Sequence, residues 1–275
     1  MTDATHLLSG LAERIHTVRG VRLRVFEGGG GPPLLLLHGF GGAAWNFTEL
    51  AELLPGRRLL IPDLPGHGKS DPLPAPSIAG FADAVAGLLD EPTAVVGHSM
   101  GGVVALRLAE RRPELVRSLV LAAPAGISSS SRAATITLGL AGIVKPAKIA
   151  GRRVDRIARS PRLKQLVFGH LEVANAAALS EAAVHGFLQG PVLHSDTLGA
   201  ALALARDDPR QDLDRVRVPA LVLFGARDRQ VPLADGFEYA RRLRAPLRVI
   251  ADCGHLLIGE RPDVCARAIL EVATL

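Results

Sequence analysis

The sequence predicts an α/β fold: a mostly parallel central sheet with helices on both faces. Two observations carry this expectation. Short apolar runs alternate with segments of helical spacing on either side of a long helical block, the order that builds parallel sheets from strand–helix units. The runs are also solidly apolar, as in strands buried on both faces.

Residues 12 to 27 alternate around Arg19-Gly20, with Ile15 and Val18 before it and Val21, Leu23 and Val25 after. That pattern predicts two antiparallel strands joined by a tight turn. Gly28 to Gly31 and Pro32-Pro33 form a loop, and Leu34 to Leu37 a central strand. His38-Gly39-Phe40-Gly41-Gly42 is the loop after it. Asn46 is expected to cap a helix, with Glu49 three residues on. Leu59-Leu60-Ile61 is the next strand, ending at Pro62-Asp63. Ser77 to Asp90 has apolar residues at helical spacing. Val95-Val96 runs into Gly97-His98-Ser99-Met100-Gly101, and a helix follows until Pro113. This strand–turn–helix order around Gly-x-Ser-x-Gly places a serine hydroxyl on a strained turn above the sheet. Leu119 to Leu121 is another strand.

From Ala125 to Arg215 the character changes. Thr135 to about Leu204 is rich in Ala, Leu and Arg, with helical spacing and no strand-like run. Alternation then resumes: Ala220 to Phe224 (strand), Pro232 to Leu243 (helix), Leu247 to Ile250 (strand) and Pro262 to Leu275 (helix). The expected organisation is a core of residues 1–124 and 216–275 with a helical insertion, 125–215.

The 275 residues suffice for one large domain with a buried core. No apolar run approaches the roughly 20 residues that span a membrane. The N-terminal residues lack a basic stretch followed by an apolar one, so no signal peptide and a cytoplasmic location are expected. Cys253 and Cys265 form no metal or redox motif and are expected as free thiols. The net charge of +5 is a local matter, because residues 145 to 164 alone carry +7. The whole chain therefore does not read as nucleic-acid binding.

A serine hydroxyl needs a base within hydrogen-bond reach, and the base needs a carboxylate to orient it. In a parallel sheet these groups come from loops at the C-terminal strand ends. Asp228 lies four residues past the strand ending at Phe224, and His255 five past Ile250. The predicted set is Ser99, His255 and Asp228. The loop after Leu121 carries no acid to rival Asp228. The backbone N–H groups of Met100 and Phe40 are expected to hold an oxyanion. Val231, Leu256 and Trp45 are pocket candidates, though Trp45 reads first as core packing. His38 and His98 are expected to be structural, and Asp252 a turn residue.

These motifs resemble the α/β-hydrolase fold family. His38-Gly39-Phe40-Gly41 is similar to its oxyanion loop and Asp63-Leu64-Pro65-Gly66-His67-Gly68-Lys69-Ser70 to its Asp-x-x-Gly-x-Gly-x-Ser loop. Gly97 to Gly101 is similar to its nucleophile elbow. Gly225 to Asp228 and Gly254-His255 are similar to its acid and base loops. The resemblance implies a serine hydrolase of the carboxylesterase type acting on a small-molecule ester or acyl substrate. It implies a cap from about Ala125 to Arg215 and no metal or organic cofactor.

Other members of the family do other chemistry. Serine at position 99 argues against the dehalogenases and epoxide hydrolases, which use aspartate there. Carbon–carbon bond hydrolases often carry an aromatic after the histidine, where this chain has Leu256. Cofactor-free perhydrolases, acyltransferase-like domains of acetoin-cleaving complexes and non-catalytic ligand receptors complete the alternatives; no lipoyl domain precedes this sequence, which argues against the acetoin role. Two decoys fail: Gly39-x-Gly41-x-x-Ala44 imitates a dinucleotide fingerprint but leaves Ser99, Asp228 and His255 unexplained. Gly68-Lys69-Ser70 imitates a phosphate loop but has Asp63 where its first glycine belongs. Lys145, Lys148, Arg152, Arg156 and Arg159 step by three or four and are expected on one helical face. That face is either solvated or a contact for an anionic substrate or membrane surface.

Overall fold

The computed structural model describes residues 7–128, 150–169 and 173–273. Its centre is one eight-stranded sheet in the order β1-β2-β4-β3-β5-β6-β7-β8. The strands are β1 (Ala12–Val18), β2 (Val21–Gly28), β3 (Pro33–Leu37), β4 (Arg58–Pro62), β5 (Thr93–His98), β6 (Val116–Ala122), β7 (Ala220–Gly225) and β8 (Leu247–Ile250). β1 and β2 form the expected hairpin, and β2 pairs antiparallel with β4. From β4 onward every pairing is parallel. Leu34 to Leu37 are wholly buried at the centre of the sheet.

The parallel register brings the strand ends level. Leu37 pairs with Gly97, Gly97 with Leu121, and Gly225 with Ile250. The loops after β3, β4, β5, β7 and β8 therefore open on one edge of the sheet, where ligand sites of parallel sheets form.

The helices of the first half are α1 (Thr48–Glu52), α2 (Ile78–Ala86) and α3 (Met100–Arg111). Ser77 caps α2, its hydroxyl accepting from the Gly80 N–H at 3.0 Å. α2 stops at Ala86, short of the expected Asp90. Asn46 does not cap a helix as expected. A 3₁₀ turn already begins at Ala44, and the Asn46 Oδ1 accepts from the Ala43 N–H at 2.7 Å.

Between β6 and β7 the described residues form helices and turns: α4 (Val154–Ala158), α5 (Pro161–Phe168), α6 (Glu181–Leu193) and α7 (Thr197–Arg206). The expected helical stretch from Thr135 to Ile149, with Lys145 and Lys148, lies outside the described residues. The expectation of one basic face running on to Arg159 fails on the part that is described. A turn at Arg152-Arg153 precedes α4, so the helical stepping is broken there. Arg152, Arg153, Arg156, Arg159 and Arg162 are all exposed, whereas Lys164 is buried with its Nζ donating to the Leu179 carbonyl at 2.5 Å.

The apolar interior is in two parts. The larger flanks the sheet. The smaller joins Val154, Ile157, Phe168, Val184 and Leu188 of the helical block to Leu256, which follows β8. The chain ends in α8 (Leu233–Leu243), α9 (Leu257–Glu260) and α10 (Pro262–Ala273). No helix among the described residues is long and apolar enough to cross a membrane.

Candidate active site

Ser99 sits between β5 and α3 with φ 52° and ψ −119°. A left-handed φ is costly for a residue with a Cβ and persists only where the surroundings enforce it. Here the strand and helix close too tightly for any other path. A Cβ at Gly97 would lie 2.3 Å from the Gly101 carbonyl oxygen, and one at Gly101 would lie 2.2 Å from that of Leu37.

Three side chains meet at this turn. The Ser99 hydroxyl donates to the His255 Nε2 at 3.0 Å, and the His255 Nδ1–H donates to the Asp228 Oδ2 at 2.8 Å. The carboxylate fixes the tautomer and leaves the Nε2 lone pair facing the hydroxyl. The other Asp228 oxygen accepts from the N–H groups of Gln230 and Val231 at 2.8 and 2.9 Å. The Asp228 side chain is fully buried, and that of His255 nearly so. Asp252 points elsewhere, pairing with Arg227 at 2.9 Å on the surface.

The loop after β3 lies against the serine. A Cβ on Gly39 would sit 3.0 Å from the Ser99 Cβ and 3.2 Å from the His98 Nδ1. Among the described residues no acceptor is hydrogen-bonded to the N–H of Phe40 or of Met100. Met100 opens α3, so its N–H is one of the orphan donors at a helix start, at the positive end of the helix dipole.

His38 and His98 hold the frame. The His38 Nδ1–H donates to the Gly39 carbonyl at 2.8 Å, and its Nε2 accepts from the Leu64 N–H at 2.9 Å. The His98 Nε2–H donates to the His255 carbonyl at 2.9 Å. Burial lowers both imidazoles to about 3, and the neighbouring His255 adds to the effect on His98.

Of the pocket candidates, Val231 packs in the larger core and Leu256 in the smaller one. Trp45 is buried in the larger core, its ring 4.5 Å from the Arg24 guanidinium carbon and 6.3 Å from the Phe26 ring. Those contacts are core packing against β2.

Four supporting residues escaped the sequence analysis or were under-read there. Arg24, fully buried on β2, places its Nε and Nη2 2.6 Å from the Asp63 Oδ2, and that aspartate also accepts from the N–H groups of Ala44 and Lys69. Glu260 accepts from Ala174 and Asn175 at 2.7 and 2.9 Å and from Gly254, next to His255, at 2.7 Å. One carboxylate thus ties the helical block to the histidine loop. His67 and His194 both bind the Gly41 backbone, at 3.3 and 2.9 Å. Nothing in local spacing signals these pairings, since the partners lie 39, 86 and 153 residues apart. Among the described residues no cluster of three or more His, Cys, Asp or Glu could hold a metal.

A family model described as alpha/beta hydrolase fold matches residues 32–262. The chain is 35% identical over 250 residues to a pimeloyl-[acyl-carrier protein] methyl ester esterase of Aromatoleum aromaticum, covering 88% of this chain and 98% of that protein. It is 34% identical over 267 residues to the dihydrolipoyllysine-residue acetyltransferase component of the acetoin cleaving system of Pseudomonas putida, covering 92% of this chain and 67% of that protein. Among solved structures it is similar to a thermophilic esterase from Thermogutta terrifontis, with a TM-score of 0.71, 27% identity and coverage of 94% and 97% of the two chains. The sheet order, the turn at Ser99 and the family match over most of the length agree: the chain is a hydrolase belonging to the α/β-hydrolase fold family.

Proposed function

We propose that the protein hydrolyses a carboxylic ester with an apolar acyl or alkyl part through an acyl-enzyme on Ser99. The observation that carries this reading is the hydrogen-bonded series Ser99–His255–Asp228 at 3.0 and 2.8 Å on a strained turn. The Ser99 Oγ attacks the acyl carbonyl carbon while the His255 Nε2 takes its proton. Asp228 stabilises the resulting imidazolium. The carbonyl oxygen, now an anion, is received by the N–H groups of Phe40 and Met100, each worth about 3 kcal/mol of transition-state stabilisation. The alcohol leaves with the proton from His255. Water then attacks the acyl-enzyme with His255 again as base. The helices between β6 and β7 act as a cap over the acyl chain, with Leu256 and Val231 as wall residues; the second apolar cluster beside His255 supports an apolar substrate.

A second reading is favoured by one observation. Arg152, Arg153, Arg156, Arg159 and Arg162 are exposed, and among the described residues no carboxylate lies within 4.0 Å of any of them. The esterase relative is named for the methyl ester of pimeloyl-[acyl-carrier protein], and a carrier-linked ester presented to these arginines fits this chain too. Its mark is a kcat/KM that falls steeply with salt for a carrier-linked ester and not for a neutral one.

The test is hydrolysis of p-nitrophenyl esters from acetate to palmitate by wild type and Ser99→Ala. Wild-type turnover is expected, with a loss on the order of 10⁴-fold or more in kcat for the variant. An inactive wild type, or a variant that keeps the activity, defeats the reading.

A further inference from the structure

Three of the four residues Gly39-Phe40-Gly41-Gly42 are glycine, and Gly41 has φ 69°. Such a segment is loose by itself, because glycine loses the most freedom on being ordered. An oxyanion donor must nevertheless be held in place before the charge develops. The loop therefore needs pins from outside, and every peptide around Phe40 has one.

The peptide that carries the Phe40 N–H has the Gly39 carbonyl at its other end. That carbonyl accepts from the His38 Nδ1–H at 2.8 Å and from the Gly42 N–H at 3.1 Å. The next peptide carries the Gly41 N–H, which donates to the His67 Nε2 at 3.3 Å. The third ends in the Gly41 carbonyl, which accepts from the His194 Nε2–H at 2.9 Å. Each imidazole has its tautomer set on its far side. The His67 Nδ1–H donates to the Pro65 carbonyl at 3.1 Å, and the His194 Nδ1 accepts from the Gly68 N–H at 2.9 Å. The rings of His67 and His194 meet edge to face at 4.9 Å, and those of His38 and His67 at 5.1 Å.

His194 differs from the other two in where it comes from. It ends α6 in the helical block, and the N–H groups of Ser195 and Asp196 bind the Gly66 carbonyl at 3.1 Å. We propose that His194 is a positioning residue for the reaction: by holding the Gly41 carbonyl while His67 holds the Gly41 N–H, it ties the seating of α6 to the placement of the Phe40 N–H. This rests on Phe40 being an oxyanion donor for Ser99. A well-seated cap then means a competent oxyanion hole, and a displaced cap leaves Ser99, His255 and Asp228 hydrogen-bonded but poorly able to stabilise the tetrahedral intermediate.

The experiment compares His194→Asn with His194→Gln. Asparagine keeps an acceptor near the Nδ1 position for Gly68 but is too short to reach Gly41, whereas glutamine reaches the Nε2 position. His67→Asn is the independent variant, keeping the bond to Pro65 and losing the one to Gly41. The readouts are kcat, KM, inhibition by the alcohol product and inhibition by a trifluoromethyl ketone. With that ketone the Ser99 Oγ adds to the carbonyl carbon, its proton passes to His255, and the oxygen becomes the held anion. For both asparagine variants kcat is expected to fall about ten- to a hundred-fold. Ketone affinity should fall in step, with KM and alcohol inhibition within about threefold, and His194→Gln should recover most of the loss. The proposal is overturned if the asparagine variants keep kcat and ketone affinity within twofold of wild type. It is also overturned if alcohol inhibition weakens as much as ketone inhibition, or if glutamine restores nothing. Failure of the underlying reading looks different: wild type then forms no adduct with the ketone, and Ser99→Ala keeps activity.

Discussion

Removing the Asp63 carboxylate leaves the Arg24 guanidinium buried with only the partly exposed Glu13, 4.0 Å from its Nη1, as counter-charge. In the folded protein both side chains are wholly inaccessible, and the Nε–Oδ2 distance is 2.6 Å. The rings of Trp45 and Phe26, 4.5 and 5.0 Å from the guanidinium carbon, offer their faces to the cation but cannot replace the carboxylate. Breaking a buried pair by deleting one partner costs about 3–5 kcal/mol. The N–H groups of Ala44 and Lys69 also lose their acceptor, at about 1 kcal/mol each. Asp63→Ala is therefore expected to destabilise by about 5 kcal/mol, a large part of the roughly 5–15 kcal/mol that a domain has. In a chain of this size that lowers Tm by about 10–20 °C. Arg24→Met should cost less, because Asp63 keeps two backbone donors. The double variant should be more stable than Asp63→Ala alone, since it removes the orphaned charge. Urea unfolding of the four proteins gives the coupling energy directly. A loss below 1 kcal/mol for Asp63→Ala, or costs that simply add in the double variant, would refute the reasoning.

Two further outcomes follow from burial. His38, His67 and His98 are held at about 3 by burial, against an ordinary 6.5. The unfolded chain takes up these protons below about pH 6.5 and the folded chain only near pH 3. Stability from these groups is therefore complete above about pH 6.5 and falls as the pH drops through that window, by up to about 4 kcal/mol per pH unit for the three together. Unfolding free energies that stay level between pH 7 and pH 5 would contradict this. Cys253 and Cys265 are free and buried, and burial raises both thiols, that of Cys265 to about 12. A disulfide-exchange reagent at pH 8 should find no thiol in the folded protein and two after denaturation. Fast reaction of either in the native state would show that the region behind His255 opens.

Much of this fold is written in local patterns. The leucine run at 34–37, the strand ends before Asp228 and His255, and the glycines around Ser99 announce themselves within a few residues, because each answers to a local backbone demand. The errors arise where partners are distant. Arg24 reads as the outward face of an alternating strand, Val21-Arg22-Leu23-Arg24-Val25. Yet β2 is an interior strand covered on both faces, so its polar face needs a buried counter-ion. The five basic residues at three- and four-residue spacing suit a helix, and among the described residues a turn at Arg152-Arg153 breaks it. Asn46 has the chemistry of a cap but serves a backbone group three residues earlier. His194 and Glu260 sit in unremarkable helical sequence, and their partners become visible only once the helical block has folded onto the sheet.

The split interior bears on how such a chain can change over time. Leu256 belongs to the smaller cluster, while His255, one residue before it, is bonded to Ser99 and Asp228. Val154, Ile157, Phe168 and Leu188 pack in the smaller cluster, which meets the larger one at Phe187, and well-separated substitutions act nearly independently. New side chains in the smaller cluster can therefore accumulate with little penalty to the sheet that carries the serine. The helical block is free to drift while the sheet stays put, and the seam where Gly186, Phe187, Gly190 and His194 meet the sheet side, with Leu256 and Glu260, is where the two histories must stay in agreement.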